Sequence, residues 1–342
     1  MRNDEDLRVA SYDYNLPQEF IATKPILPKE NAKLLVYERA KEKITHTFFG
    51  NLEQFLPPCA IVFNDTKVIK ARIYGTKQSG AKIELLYHKT LANGLFLVQI
   101  KGRIKPKDIL EFDLNLKAEV VALGDDGFRK VRFFDTQKEL SENELFLKLE
   151  KIGHVPLPPY IKRTDEKSDE INYQSEFARH KGSIAAPTAS LHFSKNQLKK
   201  LALKHEIYTL TLHVGAGTFK SVETEFLNEH KMHAERFFID EKLIKLLQSD
   251  EPILGVGTTT TRVIENFLRT QQKSGECTLF LHPHNPPLRQ NYYFLTNFHL
   301  PKSTLIMLVA SFIGRKTTLR LYEEAIKQNY RFYSYGDAML IL

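Results

Sequence analysis

Between Arg72 and Phe134, apolar and polar positions alternate in short bursts. The runs ARIYG, KIELLYH, LFLVQIKG, DILEF, KAEVVAL and FRKVRFF predict six strands with turn signals between them. Asp126-Gly127 suits a hairpin turn, since glycine accepts positive φ without steric cost. Short strands at even spacing predict a small barrel or sandwich. The period then lengthens. Ser141-Glu142-Asn143-Glu144 reads as a capping box, in which the serine oxygen takes a backbone N–H and the glutamate reaches back. It opens the helix FLKLEKI, which stops at Gly153.

From Ile184 onward, strand-like and helix-like runs alternate. Ser194 caps KNQLKKLALK, and IYTLTLHV follows as a buried strand. Asp240 caps EKLIKLLQ, PILGVG is a strand and RVIENFLRTQQ a helix. CTLFLH reads as a strand, Ser303 caps TLIMLVASFIG, and TLRLYEEAIKQN is a last helix. Alternating units predict a layered α/β domain. The strand-like run AIVFN places the first 70 residues with it. The expected organisation is therefore a discontinuous α/β domain, 1–71 plus 153–342, with an antiparallel β-barrel, 72–152, inserted. The polar stretch from Arg163 to Asn172 reads as an exposed loop.

Composition narrows the class. The chain has 342 residues, 42% hydrophobic and 26% charged, which excludes a disordered or fibrous chain. Two isolated cysteines, Cys59 and Cys277, exclude a disulfide framework and suit a reducing cytosol. Met1 to Asp6 lacks the apolar core of a signal peptide. The longest apolar stretch, Leu305 to Ile313, is about half of what spans a bilayer. A cytoplasmic protein without membrane attachment is expected.

The net charge of +8 permits a polyanionic partner. It is concentrated between Lys67 and Lys107, where ten basic residues face one acid, Glu84. Lys67, Arg72, Lys101, Arg103 and Lys105 are candidates for phosphate-backbone contacts; a solvated lysine-rich face is the plainer alternative.

Other motifs carry possible chemistry. Leu212-His213-Val214-Gly215-Ala216-Gly217-Thr218-Phe219 leaves a buried strand with two glycines that admit a ligand to the backbone; taken alone, a tight turn is the better explanation. Gly255-Val256-Gly257-Thr258 precedes a helix whose N-terminus suits an anion, but the P-loop Gly-Lys-Ser/Thr is missing. His230 and His233 share a face if helical, and zincin spacing is absent, so acid–base or substrate contacts are favoured over a metal. Ala185 to Phe193 is small and kinked. Thr296 to Thr304 sets amide, imidazole and hydroxyl groups before an apolar helix.

Together and in this order, the blocks YDYNLPQEFIATKP, VFNDTKVIKARIYG, GHVPLPPYI, YQSEFARHKGSIAAPTASLHF, TLHVGAGTFKSV, EHKMHAE, VGTTTTR, TNFHLPKSTLIMLVASF and YRFYSYGDAML resemble the S-adenosylmethionine:tRNA ribosyltransferase-isomerase family of queuosine biosynthesis. The resemblance runs almost end to end. It implies an α/β/α domain with an inserted β-barrel. It also implies that S-adenosylmethionine is consumed as a substrate, with no cofactor and no metal. Its ribosyl part would pass to 7-aminomethyl-7-deazaguanine in the tRNA wobble position and be isomerised to an epoxycyclopentanediol, releasing adenine and methionine. A monomer is expected.

Such chemistry needs a base at the acidic ribose 5′ carbon and a proton donor for adenine. The matched blocks offer His213, His233 and Glu235 for this work, with Asp337 to orient a histidine or a ribose hydroxyl. Thr188, His192, Gly215, Gly217, Thr218, Thr258, Arg262, Asn297, His299 and Ser303 would shape the pocket. One segment departs from the family pattern. In LHPHNPPLRQNYYFL, residues 281–295, Pro283 matches, but His284 replaces the usual glycine and the usual acid is absent.

Overall fold

The computed structural model describes residues 4–125, 127–136, 138–215, 217 and 222–342. Thr218 and Asp126 lie outside them. Along the chain come β1 (Lys33–Glu38), β2 (Lys43–Phe48), β3 (Ala60–Asn64) and the short β4 (Thr66–Val68). Then follow β5 (Arg72–Lys77), β6 (Lys82–Thr90), β7 (Phe96–Lys101), β8 (Ile109–Glu111), β9 (Lys117–Leu123), β10 (Phe128–Phe134) and helices α1 (Glu142–Ile152) and α2 (Asp169–Asn172). The remainder runs β11 (His180–Ser183), α3 (Lys195–Leu201), β12 (Ile207–Leu212), β13 (Glu235–Phe238), α4 (Glu241–Leu247), β14 (Ile253–Val256), α5 (Thr258–Thr270), β15 (Ser274–Cys277), β16 (Tyr292–Asn297), α6 (Thr304–Ile313), α7 (Arg315–Lys327) and β17 (Ala338–Ile341).

The chain forms two compact units. The first comprises Met1–Thr66, Gln174–His180 and Ala186–Leu342; the second comprises Lys67–Tyr173 and Lys181–Ala185.

The first unit is built on a nine-stranded sheet ordered β15-β13-β12-β3-β14-β16-β17-β1-β2. Its centre, β12-β3-β14-β16, is parallel. Because strand side chains alternate between faces, Leu34, Val36, Ile61, Phe63, Leu254, Val256, Leu295 and Leu340 line one side. There they pack with Phe49, Leu52, Phe193 and Leu201. On the other side Phe294 stacks on Phe312 of α6 at 4.8 Å. Tyr292 Oη donates to Thr261 Oγ1 of α5 at 3.0 Å. The unit is thus a three-layered α/β/α domain.

The second unit holds a closed antiparallel barrel, β10-β7-β6-β5-β8-β9, with its six strands where the alternation placed them. Ser141 and Glu144 form the expected capping box on α1, and Phe146 meets Tyr87 edge-on at 5.5 Å. The unit also takes in 153–173. His154 and Arg72 exchange backbone hydrogen bonds of 2.8 and 3.3 Å.

Two local expectations fail, and one condition is not met. The 163–172 stretch is not simply an exposed loop. Asp169 is buried there, gripped by Arg163 at 2.6 and 2.9 Å. CTLFLH is not a strand beyond Cys277. Past Cys277 the Leu279 carbonyl accepts from the Arg262 guanidinium at 3.0 Å instead of joining a ladder, and the Cys277 carbonyl accepts from the same group at 3.3 Å. His230 and His233 lie outside any helix.

Candidate active site

A parallel sheet gathers the residues that follow its strands along one edge, where open α/β folds bind ligands. Here β12 delivers His213 and Gly215, β3 delivers Asn64 to Thr66, β14 delivers Gly257 and Thr258, and β16 delivers Asn297. β13 and β17 run the other way and begin at this edge, bringing Glu235 and Asp337 to it.

At one end of the edge, Glu235 and Arg262 form a buried ion pair. The other Glu235 oxygen accepts the Gly215 amide at 2.8 Å. Burial opposes the Arg262 charge, but Glu235 and Cys277 outweigh it and hold the guanidinium above its ordinary pKa. Glu235 therefore ties the loop after β12, through one oxygen, to Arg262 of α5, through the other. His213 stands on the same loop, half-buried, its Nδ1 2.9 Å from Thr66 Oγ1. Its backbone amide donates to the Arg236 carbonyl at 2.9 Å.

His233 is exposed, and its ring lies against Gly217. A Cβ on that glycine would sit 2.2 Å from His233 Cδ2, so no larger residue fits without displacing the ring. Burial and the neighbouring His233 both lower the pKa of His230. Gly257 caps α5 at a φ of 89°, a conformation that favours glycine, and leaves Thr258 at the helix N-terminus.

Further along, Asn297 joins two more of the expected residues. Thr188 Oγ1 donates to its Oδ1 at 3.2 Å, and its Nδ2 lies 3.1 Å from His192 Nε2. His192 stacks on Phe49 at 4.9 Å. Burial, aided by Arg331 and Lys29, lowers His192 to about 3. Burial alone does the same to His299, whose Nε2 lies 2.9 Å from Thr296 Oγ1. Both imidazoles are neutral at physiological pH. Asp337 is buried, with one oxygen accepting the Lys33 amide at 2.9 Å and the other the Arg331 amide at 2.7 Å. Burial raises its pKa against those bonds. Its role in this geometry is to pin the turn before β17. Ser303 caps α6 through the Ile306 amide at 3.4 Å.

Sequence reasoning passed over Asn64 and Thr66. Asn64 bridges the edge, donating to the Leu212 carbonyl at 3.0 Å and to Thr259 Oγ1 at 3.2 Å. The block VFNDTK contained both residues, and a polar triplet ending a buried strand was the available signal. Ser190 is likewise new: its hydroxyl is buried and makes no hydrogen bond among the described residues.

In the second unit the basic residues are less lopsided than in sequence. Lys70 pairs with Glu170, Lys77 with Asp108, and Arg72 and Lys101 share Glu84. Lys67 is half-buried. Arg103 and Lys105 are exposed, and their side chains make no ion pair among the described residues. Among those residues no three His, Cys, Asp or Glu side chains come together as a metal-ligating group. Among the described residues no helix is long and apolar enough to cross a membrane.

The fold and edge define an α/β/α protein with a polar sheet edge and an antiparallel barrel in the same chain. The family described as Queuosine biosynthesis protein matches residues 9–341, and the chain belongs to it. The chain is 62% identical to an S-adenosylmethionine:tRNA ribosyltransferase-isomerase of Campylobacter jejuni subsp. jejuni serotype O:6 (strain 81116), covering 99% of this chain and 100% of that one. It is 56% identical to the protein of that name in Campylobacter fetus subsp. fetus (strain 82-40), covering 98% of each. The crystal structure of an S-adenosylmethionine tRNA ribosyltransferase from Thermotoga maritima matches with a TM-score of 0.54 at 29% identity, covering 97% of this chain and 100% of that chain.

Proposed function

We propose that this chain transfers and isomerises the ribosyl part of S-adenosylmethionine onto 7-aminomethyl-7-deazaguanine in the tRNA wobble position. The product is epoxyqueuosine-tRNA, and adenine and methionine are released. The observation that carries the reading is 62% identity, end to end, to a relative bearing that activity's name.

The sheet edge suits the chemistry. The sulfonium acidifies the ribose 5′ carbon, and in this reading His213, which stands on the loop after β12 with Nδ1 against Thr66 Oγ1, takes that proton. His233, exposed against Gly217, is the second acid–base group and serves the departing adenine. Glu235 and Asp337 position backbone, Glu235 through the Gly215 amide and Asp337 through the Lys33 and Arg331 amides. Thr188, His192, Asn297 and His299 supply neutral hydrogen-bonding groups, while Arg262, Ser303 and the glycines Gly215 and Gly217 hold shape. Thr258 offers a helix N-terminus to the methionine carboxylate. Thr218 belongs to the same reading.

The barrel unit serves the tRNA, through Lys67, Arg72, Lys101, Arg103 and Lys105. The chain works in the cytoplasm as a monomer, consumes S-adenosylmethionine as a substrate and uses no metal.

Incubation with S-adenosylmethionine and tRNA carrying the aminomethyl base, followed by mass spectrometry of digested nucleosides, tests this. Epoxyqueuosine should appear, with adenine and methionine in equal amounts. S-adenosylhomocysteine as the product would mean methyl transfer and overturn the reading.

A further inference from the structure

On the outer face of the barrel, three neighbouring strands carry two cross-strand rows. Arg72, Leu86 and Gln99 lie side by side across β5, β6 and β7, and Tyr74, Glu84 and Lys101 form the next row. The segment from Leu157 to Thr164 stands over these rows and encloses a cleft of 690 Å³, within the range of small-ligand pockets. None of the groups proposed for proton transfer lines it.

The cleft is preformed. Arg72 Nη2 donates to the Leu157 carbonyl at 3.4 Å. His154 Nδ1 and the Val155 amide both reach Asp165, each at 2.9 Å, and fix the start of the overhanging segment. Prolines at 156, 158 and 159 stiffen it. Yet its floor is underused. Tyr74 is 48% exposed, its ring braced edge-on by His154 at 5.1 Å. Arg72 Nε is buried without a hydrogen bond, Glu84 Oε1 lying 3.5 Å away. Of the lining cations, Arg72 and Lys101 share the single lining acid Glu84 and Arg163 holds Asp169, while Lys162 is exposed and makes no ion pair among the described residues.

A braced, exposed aromatic ring, polar side chains in register beside it and surrounding positive charge are what a single-stranded nucleotide requires. The ring takes the base face, and the exposed Lys162 and Lys101 meet phosphates. We propose that this cleft binds one unpaired tRNA nucleotide other than the modified base, stacked on Tyr74. The proposal deepens the functional reading and rests on it. GHVPLPPYI, a matched block to which the chemistry assigns nothing, thereby gains a role as the wall of this site.

The test compares wild type, Tyr74→Leu and Tyr74→Phe, using tRNA carrying the aminomethyl base. Anisotropy gives tRNA affinity over a salt series, and turnover gives kcat and both KM values. Loss of one base stack should weaken tRNA binding roughly 5- to 100-fold. The salt slope, kcat at saturating tRNA and KM for S-adenosylmethionine should stay unchanged, and Tyr74→Phe should bind like wild type. Unchanged tRNA affinity in Tyr74→Leu, with wild type active, would overturn this proposal alone. A wild type that binds no tRNA would overturn it together with the functional reading.

Discussion

Glu235 and Arg262, the first from the start of β13 and the second from the first turns of α5, meet as a buried ion pair whose carboxylate also holds the Gly215 amide. Removing one partner leaves the other charge buried and unpaired, which typically costs about 3–5 kcal/mol. Arg262→Met and Glu235→Gln should each lower the denaturation midpoint substantially. The double substitution should cost less than the sum, because the two share one interaction. A double-mutant cycle by chemical denaturation checks this; strict additivity would mean the pair does not act as a unit.

Thr66 and His213 make a second pair, at 2.9 Å. A positioned acid–base group typically contributes 10²–10⁴-fold, so His213→Ala should lower turnover per folded molecule roughly a hundredfold or more. His233→Ala should act in the same direction. Thr66→Val removes the hydroxyl that orients the ring and should cost about tenfold while altering the pH–rate profile. Thr66→Ser keeps the hydroxyl and should restore both. Near wild-type turnover in His213→Ala and His233→Ala would remove them from the mechanism.

The pattern of the chain disclosed the barrel almost strand for strand, because antiparallel strands with one buried face alternate cleanly. It disclosed the helices through Ser141, Ser194, Asp240 and Ser303, whose side chains each accept the expected amide. It did not disclose β1 or β2, nor that the chain after Cys277 leaves the sheet. That exit depends on Arg262, distant in sequence, taking the carbonyls of Cys277 and Leu279. Glu235 was singled out, but its anchoring by Arg262 and Gly215 belongs to tertiary structure alone. The ten-to-one charge ratio misled for the same reason. Glu170 and Asp108 lie outside the counted stretch and neutralise Lys70 and Lys77.

The two buried histidines at the sheet edge should set the acid limit of stability. His192 and His299 titrate at about 3 in the folded protein, whereas an unfolded histidine titrates near 6.5. Well above a pH of about 6.5 neither state is protonated and the stabilisation is fully present. As pH falls from there toward 3, the unfolded chain takes up protons that the folded chain refuses. Stability is lost at a slope approaching about 1.4 kcal/mol per pH unit for each histidine. Between pH 7 and 5.5 the two together should remove about 2–3 kcal/mol. Denaturant titrations at both values should show the loss, and His192→Asn with His299→Gln should flatten it. An equal loss in that double variant would place the acid sensitivity elsewhere.

The remaining prediction concerns the exposed end of β7 and the loop after it. Lys101 is 79% exposed although it touches Glu84 at 3.0 Å, and Arg103 and Lys105 follow on the surface. Phosphates neutralised by such groups release counterions, so tRNA affinity should fall steeply with salt. Reversing Lys101, Arg103 and Lys105 together should weaken tRNA binding and lower the slope of log K against log salt by about 2–3. S-adenosylmethionine affinity should barely move, because its proposed contacts lie on the sheet edge of the other unit. Arg103→Glu should outweigh Lys101→Glu, since Lys101 already spends part of its charge on Glu84. Anisotropy with tRNA and calorimetry with S-adenosylmethionine separate the two ligands. A salt-independent tRNA affinity, or unchanged binding after the triple reversal, would show that this surface is merely solvated.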